Sequence, residues 1–429
     1  MKPLYLFLLC LGLWQCRNPD NHDIPPVPGG IDKNGDSISK AAPFIITAGN
    51  AIGWDVALDS DSNIYVTGSF YGTTAFGETP QTSTGNIDVF IAKYNAEGVF
   101  QWIRSIGNTG YDEGRGIAVD SSGDVYVAGD YYGTVSAGNM SVTSVGDADV
   151  FVAKYNTNGE AQWIRSVGSA GGERGHDLAL DANGNVYVTG EFQGTGKFET
   201  TIKQAAGEFD VFVLKYNTDG LFQWVQTAGG SQRETGYGIA ADAISGDVYV
   251  TGAYFGTTTF GNINKTSAGD ADVFFAKYSS DGALQWMQSA GESDADVGRD
   301  VAIDGLGNIY VTGQSGSSEG FLTKYTRDGG LQWGQSLKFN SQGSGVSTDD
   351  HGNAYVLGFD SAISKYNSDG VLQRAQFPRS TDYVSGWGIA ATKSGKLYIT
   401  GFYKGTITFG ATSKTAASAM DMFVIGGDL

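Results

Sequence analysis

Aligned on the first strand of a repeat that runs down most of the chain, one position reads Trp54, Arg115, His176, Tyr237, Arg299, Ser344 and Trp387. The residue changes each time, although its surroundings keep returning. If these side chains face a common axis, they bring together two indoles, a phenol, two guanidiniums, an imidazole and a hydroxyl. Stacking planes and hydrogen-bond donors in one place suit a sugar, an aromatic ligand or a carboxylate-bearing peptide. The same residues also fit ordinary loop cover just before the strand, over a channel mouth. Signatures of catalysis are scarce: the chain has no G-x-S-x-G, no H-E-x-x-H and no phosphate-binding loop. His22 lies near the start, so only His176 and His351 fall in the repeats, too few for an all-histidine metal site. No cofactor is expected. Asp112, Glu113, Glu173, Asp177, Glu234, Asp294, Asp296 and Asp300 crowd loops at the same end and keep carboxylate chemistry open. Sequence cannot set any two of them at a catalytic spacing.

The elements that must position these residues are legible from one tetrapeptide. YVTG, YVAG, YVTG, YVTG, YVTG, YVLG and YITG begin at Tyr65, Tyr126, Tyr187, Tyr249, Tyr310, Tyr355 and Tyr398, with spacings of 61, 61, 62, 61, 45 and 43 residues. Such a period means one supersecondary unit copied, each copy needing a neighbour to bury its faces. Within the second copy, Gly116-Ile-Ala-Val119, Val125-Tyr-Val-Ala-Gly129, Asp149-Val-Phe-Val-Ala-Lys-Tyr155 and Gln162-Trp-Ile-Arg-Ser166 read as four short strands separated by Asp/Asn/Gly turns. The expected fold is all-β: a seven-bladed β-propeller of four-stranded antiparallel blades. The seventh copy ends at Leu429 without a fourth strand, and Pro43-Phe-Ile-Ile-Thr-Ala-Gly49 matches the missing one. An N-terminal strand is therefore expected to complete the last blade and close the ring.

Features present in nearly every copy read as structural. The tryptophans Trp102, Trp163, Trp224, Trp286 and Trp333 are wedges between blades, since one central site does not need five copies. The acids opening the third strands, Asp88, Asp149, Asp210, Asp272, Glu319, Asp360 and Asp421, are expected to accept backbone N–H groups of the preceding Gly-rich loop. Calcium ions are the sharper alternative, but no oxygen-rich loop accompanies them. Asp59-Ser-Asp-Ser-Asn63 begins like a calcium loop, yet has Ile64 and Phe70 where Gly and Glu are needed. A long insertion between second and third strands opens with aromatics such as Phe70 and Phe192 and is missing from copies five and six. The wall around the channel mouth is expected to be low on that side.

The pattern D-x-x-G-N-x-Y-V-T-G, G-x-x-D-x-F-x-A-K-Y-N and G-x-x-x-W resembles the SBBP β-propeller repeat family over about residues 43–429. Copy six departs from it, with Arg374 in place of the tryptophan. The resemblance implies a bacterial envelope or secreted protein with no defined reaction, and it lends no catalytic residues.

Residues 1–16 read as a leader, with Lys2, an apolar Pro3–Trp14 and then Cys16 before a polar stretch, which resembles a lipoprotein signal acylated at Cys16. Ordinary cleavage is the alternative. Residues 17–42, including Ile24-Pro-Pro-Val-Pro-Gly-Gly30, read as a flexible tether, and 43–429 as the propeller. A net charge of −19 argues against nucleic acid or an anionic membrane surface as partner. The expectation is a monomeric, non-enzymatic cell-envelope lipoprotein, lipid-anchored toward periplasm or exterior, whose channel face binds a glycan, peptide or protein. A lyase or hydrolase acting there on a polysaccharide or cyclic peptide is the alternative, and secretion the alternative address.

Overall fold

The structure is a computed structural model that describes residues 43–338 and 341–428. Cys16, the leader and the tether lie outside the described residues. Within them the chain is all β, built from antiparallel four-stranded sheets. The second repeat shows the plan: Glu113–Val119, Val125–Tyr131, Asp149–Tyr155 and Ala161–Val167 pair in that order. Its two middle strands are buried at every residue. The reason is the two-residue period of a strand. Tyr126 and Ala128 face a core shared with Val186 and Phe212 of the third repeat. Val125 and Val127 face the opposite core, shared with Tyr65 and Ile91 of the first.

The wedge reading of the tryptophans holds for all five, Trp286 lying against Gly329 of the next repeat. Trp102, Trp163, Trp224 and Trp333 donate Nε1–H to carbonyls of Thr157, Thr218, Ser280 and Ser368 in the next repeat, at 2.9 to 3.1 Å. Each lies against that repeat's turn glycine. A Cβ on Gly220, whose φ is +71°, would come within 2.7 Å of the Trp163 ring. Trp286 has its Nε1 buried without a partner.

Five of the third-strand acids behave as expected. Asp88, Asp149, Asp210, Asp272 and Asp421 accept the N–H of Thr84, Val145, Ala206, Ala268 and Ala417 at 2.7 to 3.1 Å. Glu319 instead is exposed, and Asp360 accepts the Ser341 hydroxyl at 2.5 Å.

In the last repeat, Val384–Ala391, Lys396–Tyr403 and Asp421–Asp428 are joined by Phe44–Gly49, paired from Phe44↔Gly426 to Gly49↔Asp421. Phe44 takes the place of the tryptophan wedge: a Cβ on Gly98 of the first repeat would sit 2.9 Å from its ring. Lys396 Nζ also reaches the Ala96 carbonyl, at 3.3 Å.

The long insertions form hairpins such as Thr134–Ala137 with Met140–Thr143, but not as a channel wall. They lie over outer strands: the hairpin of the second repeat packs on Ala161–Val167 and Phe100–Ile106. In the fourth repeat, Thr258–Phe260 pairs with Ala228–Gly230 and fuses two sheets. Their aromatics explain the placement. Phe76 packs between Phe70 and Phe90, at 5.8 and 4.8 Å, which folds the hairpin onto its own sheet.

Candidate functional site

The seven first strands are Ala51–Leu58, Glu113–Val119, Glu173–Leu180, Glu234–Ala241, Asp296–Ile303, Gly343–Thr348 and Val384–Ala391. In each, the register against the second strand slips by one residue, as between Gly53 and Asp55 or Gly114 and Gly116. The residue skipped is Trp54, Arg115, His176, Tyr237, Arg299, Ser344 or Trp387. These positions are therefore β-bulges in mid-strand, not loop residues before it. Ala51 to Gly53 already pair with the second strand, and the bulge frees the next residue from the ladder and re-aims it. All seven line one cavity of about 290 Å³, joined by Asp55, Asp177, Asp300 and Phe359.

The bulges stand close together because their neighbours in sequence permit it. A Cβ on Gly114 would come within 2.3 Å of Thr67 Oγ1 in the preceding repeat. After the bulge, aspartate and glycine alternate: Asp55, Gly116, Asp177, Gly238, Asp300, Gly345, and finally Gly388. Each aspartate accepts the next N–H of its own strand, from Val56, Leu178 or Val301, at 2.7 Å. Its second oxygen accepts an N–H of the following repeat, from Ile117, Ile239 or Val346, at 2.7 to 2.9 Å. Burial pushes Asp55 up to about 7 and Asp300 up to about 6. Burial, then the charges of Asp300 and Asp55, hold Asp177 well above the usual carboxylate range. These bridging aspartates were missed as a set in the sequence, although their alternation with glycine is its signal.

A second ring lies beside the first. The residue after each Y-V-T-G glycine falls one step along the second strand from the glycine that faces the bulge, fifteen or sixteen positions on from the bulge residue: Ser69, Asp130, Glu191, Ala253, Gln314, Phe359 and Phe402. Trp54 Nε1 donates to Ser69 Oγ at 2.8 Å. Arg115 Nε donates to Asp130 at 2.9 Å, and its Nη2 to Glu113, while the guanidinium lies 5.3 Å over the Trp54 ring. Glu191 is fully buried and accepts from Arg233 Nε and Nη2 at 2.9 and 2.6 Å and from Thr235 at 2.6 Å. His176 Nε2 stands 4.0 Å from Glu191 and has no hydrogen-bond partner. Burial, then the guanidiniums of Arg115, Arg174, Arg233 and Arg299, hold that imidazole well below its usual range, so it is neutral.

On the other side, Arg299 meets an amide instead of a carboxylate, donating Nη2 to Gln314 at 3.1 Å. Its guanidinium lies 4.6 Å over Tyr237 and 5.6 Å over Phe359, and its Nε is buried without a partner. Burial lowers its pKa from the ordinary arginine value. Trp387 packs edge-on against Trp54 and Phe359, at 4.7 and 4.9 Å, and its Nε1 is likewise buried and unpartnered. Ser344 donates to the Leu357 carbonyl at 3.2 Å.

Of the remaining acids near the mouth, Asp294 is exposed and four are structural acceptors. Asp112 takes N–H groups of Asn108 and Tyr132, Glu173 that of Ser169, Glu234 that of Gly230, and Asp296 those of Glu292 and Gly316. Among the described residues no His/Cys/Asp/Glu cluster has the geometry for a metal ion.

The sheets, their order and the pattern of the β-propeller repeat, which matches residues 101–130 and 285–320, agree: the chain is a β-propeller repeat protein. It is 25% identical over 252 residues to an uncharacterized WD repeat-containing protein, L264, of Acanthamoeba polyphaga mimivirus, covering 50% of this chain and 18% of that one. It is 28% identical over 170 residues to the regulatory protein FlaEY of Caulobacter vibrioides, covering 38% of this chain and 17% of that one. The matched part thus spans less than a fifth of either relative. A chain in the crystal structure of the mitotic checkpoint complex matches the fold with a TM-score of 0.52 at 10% identity, over 95% of this chain and 98% of that one.

Proposed function

We propose that the chain is a seven-bladed propeller that binds a glycan, peptide or protein partner at the cavity formed by its seven bulges, without catalysis. A propeller repeat scaffold fits an interaction role. The observation that carries the reading is convergence: the bulge position, which varies in chemistry from repeat to repeat, meets itself across a single cavity. Acid chemistry is disfavoured there because the three aspartates have both oxygens engaged by backbone N–H groups. The test is a glycan and peptide array with wild type, Trp54→Ala and Trp387→Ala. Each substitution should weaken the captured ligand by about 1–3 kcal/mol, the usual cost of removing a central anchor. Unchanged binding would move the site elsewhere.

Ring closure by Phe44–Gly49 is part of this proposal, supported by its pairing with Asp421–Asp428 and by the contact of Trp54 with Trp387. Deleting 43–49 should expose a sheet edge and cause aggregation, and a soluble, stable deletion variant would refute closure. The envelope address rests on Cys16. Cys16→Ser should abolish acyl labelling and membrane retention, whereas Cys10→Ser should not.

A further inference from the structure

From the unpartnered groups around the cavity we infer that its ligand presents a carboxylate, seated between Arg299 and Trp387 on either side of Phe359. This rests on the cavity being a binding site, and it names the group bound there.

The carboxylates around the cavity are satisfied: each oxygen of Asp55, Asp177 and Asp300 holds a backbone N–H. Asp130 holds Arg115, and Glu191 holds Arg233 and Thr235. Three lining nitrogens are not: His176 Nε2, Arg299 Nε and Trp387 Nε1 are buried and unpartnered, and the last two are N–H donors. A buried N–H without an acceptor is costly, and more so on a charged group, so the site is complementary to a molecule that brings lone pairs. The two donors flank one ring: Phe359 lies 5.6 Å from the Arg299 guanidinium and 4.9 Å from the Trp387 ring.

Charge narrows the class further. Arg115 forms ion pairs with Glu113 and Asp130, whereas Arg299 has no carboxylate pair among the described residues. A guanidinium held between Tyr237 and Phe359 has its planar fork fixed, the geometry that a carboxylate meets edge to edge. A cation is the poorer fit. The aspartates that would hold it are already engaged, and their burial favours the protonated form. The aromatic rings of Trp54, Trp387 and Tyr237 leave two carriers for the carboxylate, a sugar ring as in a uronic acid or an aromatic ring.

The test uses the ¹⁵N-labelled full-length chain, with benzoate and glucuronate as probes and benzamide and glucose as their neutral counterparts. A carboxylate should shift the Trp387 indole Nε1–H signal, assigned with Trp387→Phe, at concentrations where its neutral counterpart does not. The carrier that binds more tightly identifies the source of the group. Arg299→Gln should weaken that carboxylate by about tenfold or more, and Arg299→Lys, which keeps the charge but not the fork, should fall between. Equal binding of charged and neutral probes overturns the inference. So does an unmoved Trp387 signal in the wild-type chain with both carboxylates at tens of millimolar. A neutral glycan or peptide held through Trp387 but not through Arg299 would also overturn it, while leaving the interaction reading of the cavity intact.

Discussion

Arg115 and Arg299 occupy the same bulge in the second and fifth repeats, and each lies over an aromatic ring, but they end in opposite states. Arg115 is locked by Asp130 and Glu113, whereas Arg299 meets the Gln314 amide and Tyr237 in place of a carboxylate and keeps an unpartnered Nε. The two indoles divide in the same way: Trp54 donates to Ser69, and Trp387 to nothing. The bulge supplies position in both halves of the cavity. For Trp54, Arg115, Arg299 and Trp387, whether the residue is paired within the fold or left with an unpartnered N–H follows the residue fifteen places later. A repeat protein can thus change a site by altering the second ring while keeping the first.

The comparison is broken most directly by stability. Arg115→Gln leaves Asp130, whose side chain is 7% exposed, without its cation and should cost about 3 kcal/mol in chemical denaturation. Arg299→Gln removes no ion pair and should cost no more than about 1 kcal/mol. Equal losses would mean that both arginines are structural and that the halves do not differ.

The next effect concerns pH and sets the bridging aspartates against the turn chemistry around them. Asp55 and Asp300 have folded values near 7 and 6 against about 3.8 unfolded. Because the folded value is the higher, the folded state binds more protons between the two, and stability falls as pH rises from about 4 towards 7. Asp177 shifts the same way, as do Glu173 and Glu234, which burial pushes up to about 7. The melting temperature should therefore be several degrees higher at pH 5.5 than at pH 7.5. A melting temperature that rises over this interval would show that the N–H groups, not burial, govern these carboxylates.

How much was legible follows from which features are local. The repeat, the strands, the wedges and the bulge residues could all be aligned, since each recurs with its own turn signals around it. The bulge itself could not be seen. It is a slip in register between Gly53 and Asp55, and register is a property of two strands. Without it, Trp54 and its equivalents read as loop residues, and Ser69, Asp130 and Gln314 had no visible relation to them. The hairpins were misplaced for a similar reason. Length alone could not tell a channel wall from an outer clasp, and contacts such as Phe76 on Phe90 decide it.

The smallest effect sharpens the contrast between repeats at the junction of the fourth and fifth. The residue after the wedge tryptophan is Ile103, Ile164, Val225 and Met287 in the first four repeats, but Gly334 in the fifth. There, Phe275, Phe321, Tyr325, Leu331 and Gly334 line a partly open, largely apolar void of about 60 Å³. Across the same junction, Trp286 finds no carbonyl for its Nε1, unlike Trp102, Trp163 and Trp224. Looser packing and a lost wedge bond thus coincide where the repeats shorten. Gly334→Val should place a side chain in the void and, as Gly334 lies in a strand paired with Thr323, also lower the entropy lost on folding. The expected gain is about 0.5–1 kcal/mol in denaturant unfolding, and Ile164→Val in the tightly packed second repeat should instead lose a similar amount. If Gly334→Val destabilises, the void is too constrained to accept a branched side chain, and the junction is strained rather than loose.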